Sequence, residues 1–145
     1  MKRCFFIGHR DAPCELYPKI LAAVGDCIRV NGEVEFLVGC YGSFDAMAAR
    51  AVISWKQENP SVRLTQLVPY LPAKPLLPDF DGALFPPGME FVPRRAAIVR
   101  ANRYAARICD VLIAYAKHPA SNAWELIAYV RPRIRRGELT LIQLT

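Results

Sequence analysis

The stretch Cys4-Phe5-Phe6-Ile7-Gly8-His9-Arg10-Asp11 decides the fold. Residues 4–8 are apolar without alternation, which is how a strand reads when both faces of a parallel sheet are covered. The run ends abruptly in a glycine and three polar residues, so the strand opens into a loop that chemistry can use. Similar runs recur at 35–39 (Glu-Phe-Leu-Val-Gly) and 110–115 (Asp-Val-Leu-Ile-Ala-Tyr). Residues 63–70 contain a further strand, and 139–144 (Leu-Thr-Leu-Ile-Gln-Leu) form the last.

Helices alternate with these strands. Residues 13–30 place Ile20, Leu21, Val24, Cys27 and Ile28 on one face, and Asn31-Gly32 stops the helix. Ser43 is expected to cap a helix from about 44 to 58, with Ala48, Ala51, Val52 and Trp55 inward and Asn59-Pro60 at its end. A helix over 94–109 turns Ile98, Ala101, Ala105 and Ile108 to the core, and Arg100, Arg103 and Arg107 away from it. The last helix, 122–135, ends or kinks near Pro132. The alternation predicts an α/β, Rossmann-like three-layer sandwich. Its sheet is mainly parallel, with five strands in the order 3-2-1-4-5 and right-handed crossovers. Ligands of such sheets bind beyond the carboxyl ends of the strands, where the strand order reverses.

At 145 residues the chain fits one domain, 1–145, with a proline-rich insert at 69–93 that holds seven of its twelve prolines. Such a run excludes regular helix and central strand. Its apolar residues, Tyr70, Leu76, Leu77, Phe80, Leu84, Phe85 and Phe91, point to a loop that packs down, and residues 71–93 are expected to cover the site. The chain is 53% hydrophobic and 22% charged, which excludes disorder. Its longest apolar runs fall short of the ~20 residues that span a bilayer. The basic start Met1-Lys2-Arg3 leads into an apolar stretch too short for a signal-peptide core. A cytoplasmic protein without a membrane partner is the expectation.

Five cysteines (4, 14, 27, 40 and 109) form no CxxC pair, and apolar neighbours mark them as small core residues. Neither a metal nor a cofactor is expected, although Cys4, His9, Cys14 and Cys40 are conceivable ligands. Net charge is +6, and all ten basic residues after position 75 lie between Arg94 and Arg136, nine of them arginine. Arginine suits phosphate and carboxylate by its planar fork.

Three loops and one helix carry the candidate site. The first loop is Gly8-His9-Arg10-Asp11, where Gly8 lets the backbone approach a ligand, Arg10 pairs with phosphate and His9 acts as donor, acid or base. The second is Gly39-Cys40-Tyr41-Gly42-Ser43-Phe44-Asp45, whose glycines before a helix make an anion-ready nest and whose Asp45 accepts from a ribose hydroxyl or simply favours the helix dipole. The third is Lys117-His118-Pro119-Ala120-Ser121-Asn122. There Asn122 as N-cap and Glu125 three residues on fit a capping box, and Ser121 and Asn122 can bond a ligand. The helix adds Arg95 and Asn102, seven residues apart on one stripe at the rim of the apolar face.

Taken together these segments resemble a family. Gly-His-Arg ends the first strand, and Gly-x-x-Gly-x-x-Asp opens the next helix. Pro-Pro-Gly-Met-Glu-Phe-Val-Pro follows in the insert, then Ala-Ile-Val-Arg-Ala-Asn-Arg-Tyr, Cys-Asp-Val-Leu-Ile-Ala-Tyr and Ser-Asn-Ala-Trp-Glu. The chain resembles the SLOG superfamily, which unites DprA/Smf proteins with the Lonely Guy enzymes. Within it the chain is most similar to the small single-domain bacterial branch near the YpsA and YspA groups. The resemblance implies binding of a nucleotide or nucleotide derivative at the strand ends, as in a sensor. It carries Gly8, His9, Arg10, Gly39, Gly42 and Asp45 into the site, sets Arg100 and Asn102 near the family's Arg-Asn pair, and implies a homodimer. Ser121 and Asn122 stand where many members carry a Gly-Gly around a phosphate. The Lonely Guy motif Pro-Gly-Gly-x-Gly-Thr-x-x-Glu is not met by Pro119-Ala120-Ser121-Asn122-Ala123-Trp124-Glu125.

Nucleotide binding is therefore the first reading. The second is an enzyme that cuts the N-glycosidic bond of a nucleotide, with His9, Asp45 and Glu125 as candidate catalytic groups. The third is DNA binding of the DprA type through the arginines from Arg94 to Arg136. It ranks last, because stacking aromatics are scarce among them.

Overall fold

The computed structural model describes residues 1–71 and 78–145. Six strands form one sheet: β1 (Lys2–Gly8), β2 (Val34–Val38), β3 (Arg63–Leu67), β4 (Gly82–Leu84), β5 (Val111–Tyr115) and β6 (Thr140–Gln143). Their order is β4-β3-β2-β1-β5-β6, and every pairing is parallel. The helices are α1 (Tyr17–Asn31), entered through a 3-10 turn at Cys14–Leu16, α2 (Ser43–Lys56), α3 (Arg94–Ile108) and α4 (Asn122–Arg135). The α/β sandwich is as the sequence predicts, with β1 central and the order reversing between β1 and β5.

The sheet has one strand more than expected. β4 comes from the proline-rich insert and pairs with β3 at the sheet edge. Gly82-Ala83-Leu84 is a proline-free window, and an edge strand needs partners on one side only. Asp81 fastens it, its Oδ2 accepting the Leu64 N–H at 2.7 Å while also bonding Lys56. Within the insert Phe80 is buried and Tyr70, Leu84 and Phe85 lie against the core, whereas Phe91 is 85% exposed, against the expectation. Leu76 and Leu77 fall outside the described residues.

Alternation along β1 divides the core. Cys4 and Phe6 face α1 and α2, where they meet Ile20, Val24, Phe36, Phe44 and Val52. Phe5 and Ile7 face α3 and α4. The first layer is filled by large side chains; Phe6 and Phe36 stack at 5.8 Å, and burying such a ring contributes about 2 kcal/mol. The second is filled on α3 by Ala97, Ala101, Ala105 and Ala106, with Ile108 partly buried against them, so small side chains dominate that face of the helix. Pro132 stays inside α4, three residues before its end, where the missing N–H costs one bond without stopping the helix. Among the described residues no helix is long and apolar enough to cross a membrane.

Candidate functional site

At the carboxyl ends of the central strands, a cleft is lined by Gly8, His9 and Arg10 after β1, by Gly39, Tyr41, Gly42 and Asp45 around the start of α2, by Asn102 on α3, and by Asn122 at the start of α4. The three loops that sequence singles out thus converge where the strand order reverses. Phe44, Leu67, Pro69, Ile98 and Ala101 supply the apolar wall.

The glycines are there for space. None of Gly8, Gly39 and Gly42 sits in the left-handed φ region that favours glycine; Gly42, at φ 165°, is extended. A Cβ on Gly8 would lie 2.3 Å from the Phe44 ring, and one on Gly42 would lie 2.5 Å from the Arg10 Cα. Gly8 therefore admits a neighbouring aromatic, where the sequence reading has it admit a ligand. Gly42 lets the first two loops touch backbone to backbone.

That contact changes the expected nest. The Ser43 N–H donates to the Arg10 carbonyl at 2.8 Å, and the Tyr41 N–H donates to Asp45 Oδ2 at 3.0 Å. Two of the loop amides are consumed inside the protein. Ser43 is not the N-cap either: Gly42 holds that position, while the Ser43 hydroxyl sits 2.9 Å from the Arg10 carbonyl and 2.8 Å from that of Ala12. A hydroxyl that fastens one loop to the next cannot also cap its own helix.

The start of α4 is built differently. Ser121 is the N-cap; its Oγ accepts the Trp124 N–H at 3.2 Å and donates to the His118 carbonyl at 2.7 Å. The expected capping box is one residue out of step. Trp124 occupies the position where the box needs a glutamate, and Glu125 follows it. Asn122 is released from capping, and its carboxamide makes no hydrogen bond among the described residues, as is also true of Asn102.

A carboxyl and an imidazole line the cleft beside Arg10 and Tyr41. Burial pushes the Asp45 carboxyl up to about 6, against the Tyr41 N–H and the Arg10 charge, which both pull it down. His9 is buried, and the Lys117 backbone N–H donates to its Nε2 at 2.8 Å. The imidazole is therefore neutral with its proton on Nδ1. Burial first, and then the nearby His118, hold its pKa below 6.5, against Asp11. His9 lies edge-on to Tyr115 at 5.3 Å and 4.7 Å from the His118 ring. The neutral ring has no free lone pair to act as a base, because Nε2 is already engaged in tying the first loop to the third.

The remaining predicted residues stand apart. Arg95 and Arg100 are exposed on α3 and do not line the cleft. Glu125 lies in an adjoining groove with Val99, Arg103 and Leu126, so His9, Asp45 and Glu125 do not form one catalytic set. No described residue of 71–93 lines the cleft; α3 covers it instead, through Ile98, Ala101 and Asn102. Sequence reasoning missed Tyr41, whose phenol is raised by burial and by the hydroxyl of Tyr70, with the Arg94 guanidinium 4.2 Å above the Tyr70 ring. Its place between two glycines was the only sequence signal. Among the described residues no three metal-ligating side chains come together, and Cys4 meets Cys27 in the core instead.

No family model matches the chain, and no curated protein matches it. Among solved structures it is similar to DNA processing protein A from Helicobacter pylori, a protein described for its single-stranded DNA binding mode. The TM-score is 0.54 at 14% identity, over 97% of this chain and 74% of that one. At that identity the likeness is one of fold.

Proposed function

We propose that the cleft binds a nucleotide or nucleotide derivative. The observation that carries this reading is the meeting of Gly8–Arg10, Gly39–Asp45 and Asn122 at the point of strand reversal, where open parallel sheets hold their ligands. The anion belongs at the start of α4, where the Asn122 and Ala123 N–H groups and the Asn122 carboxamide have no hydrogen-bond partner among the described residues. It does not belong at the start of α2, where the Arg10 carbonyl and the Asp45 carboxyl already stand. Asp45 accepts from sugar hydroxyls, and Arg10, the one cation lining the cleft among the described residues, balances charge across it. The SLOG resemblance is part of this reading.

Titration calorimetry with nucleosides and their 5′-phosphates tests it. Phosphates should bind tighter than nucleosides, and Asn122→Asp should remove that preference by setting a like charge beside the anion. Absence of heat with every nucleoside and nucleotide ends the proposal.

An N-glycosidase reading is favoured by one observation, the Asp45 carboxyl at about 6 in a partly apolar cleft. Release of free base from nucleoside monophosphates, lost in Asp45→Asn, supports it, and no turnover over a broad panel removes it.

A further inference from the structure

The cleft does not end at its two asparagines. Asn102 and Asn122 line it and also line the groove between α3 and α4, with Val99, Arg103 and Glu125 on the far side. Further along the same helix pair, Tyr129 is 38% exposed. The Arg103 guanidinium stands over its ring at 5.0 Å, and Arg107 donates to its hydroxyl at 3.3 Å. Neither arginine forms an ion pair among the described residues. A helix exposing two unneutralised guanidiniums against an aromatic ring has the chemistry that stacks a base and holds a phosphate.

We infer that the ligand has two nucleoside units joined through phosphate: one in the cleft, the linkage passing Asn102 and Asn122, and the second on Arg103, Tyr129 and Arg107. This rests on the nucleotide reading of the cleft and extends it. Three features fit a second unit. The two carboxamides have no hydrogen-bond partner among the described residues and stand at the boundary shared by both hollows, where an amide can donate to a bridging phosphate without a fixed charge. The stacked guanidinium offers a flat face, and Arg107 adds a second cation one helical turn on. Glu125 is the opposing feature: one carboxylate in the groove sets a limit on affinity for an anion, and its neutralisation should relieve it.

The test compares adenosine monophosphate, a pyrophosphate-linked diadenosine and a 3′–5′-linked diadenosine by calorimetry on the full chain, with a six-nucleotide oligomer as a fourth probe. A dinucleotide should bind at least tenfold tighter than the monophosphate. Arg103→Ala and Tyr129→Ala should each remove most of that gain while leaving monophosphate affinity unchanged, and Glu125→Gln should widen it several-fold. Tighter binding of the pyrophosphate-linked form points to a free dinucleotide. Tighter binding of the oligomer points to a strand end. Equal affinity for one unit and two overturns the inference and leaves the cleft reading standing. A dinucleotide gain that survives both alanine variants overturns it as well. Failure of every probe, the monophosphate included, takes both readings down.

Discussion

The starts of α2 and α4 face the same cleft and offer it opposite things. At α2 the chain has brought its own acceptors: the Arg10 carbonyl takes the Ser43 N–H and the Asp45 carboxyl takes that of Tyr41. At α4 a single serine hydroxyl caps the helix, and the Asn122 carboxamide beside it makes no hydrogen bond among the described residues. Both are helix N-termini after a strand, so both carry the partial positive charge of the helix dipole. The difference is what that charge already holds. An amide that donates inside the protein is lost to a ligand, so similar motifs can be one closed site and one open one.

Crowding the closed start should have the largest effect. Gly42→Val drives a side chain into the Arg10 backbone, 2.5 Å from the Cβ position, and no flexible side chain can yield there. We expect a destabilisation of about 3 kcal/mol in urea unfolding. An unchanged midpoint would show that the two loops are not locked together.

Asp45→Asn should act in the other direction. The folded carboxyl titrates at about 6 against an ordinary 3.8, so the native state binds its proton more tightly than the unfolded chain. Stability is therefore lost as pH rises from 3.8 through 6, by up to about 3 kcal/mol. The variant should match the parent at pH 3.5 and exceed it at pH 7.5; equal stability at both would mean the carboxyl is not penalised by burial.

His9→Phe should cost about 2 kcal/mol at pH 7.5, because the Lys117 N–H loses its acceptor. The sign of its pH dependence is opposite to that of Asp45. His9 has a folded pKa below 6.5, so the unfolded chain takes up a proton first, and stability falls as pH drops from 6.5 toward the folded value. That acid-side decline should vanish in the variant, and its persistence would assign it to another group.

The smallest effect is expected at the open start. Ser121→Ala removes the α4 cap for about 1 kcal/mol, and Ser121→Gly for a few tenths. If Asn122→Ala costs stability and Ser121→Ala does not, the cap is Asn122, and the contrast between the helix starts fails.

Much of the fold is legible in the sequence because its signals are local. Cys-Phe-Phe-Ile and Val-Leu-Ile-Ala-Tyr need no partner to be recognised as strands buried on both faces. The exception is β4: three residues between prolines carry too little pattern, and only pairing with β3 makes them a strand. The site is legible by place and not by role. That the loops after β1, β2 and β5 meet follows from parallel topology. That Gly8 yields to Phe44, that Ser43 clasps Arg10, and that Ser121 rather than Asn122 caps α4 do not follow. Arg103, Arg107 and Tyr129 are a similar case. Aromatics look scarce among the arginines along the chain, yet packing α4 beside α3 sets Tyr129 against two of them.

Composition and periodicity alone determined the strand and helix alternation, the parallel sheet and the end of it where the cleft lies. Those properties depend on each segment's own apolar pattern. Tertiary structure decided that the Ser43 and Lys117 donors at that end are already spent, since their acceptors, the Arg10 carbonyl and His9, lie far away in the chain, 108 residues in the case of Lys117 and His9. A hydrogen bond is a matter of angstroms, and no local pattern tells a residue which distant carbonyl will arrive beside it.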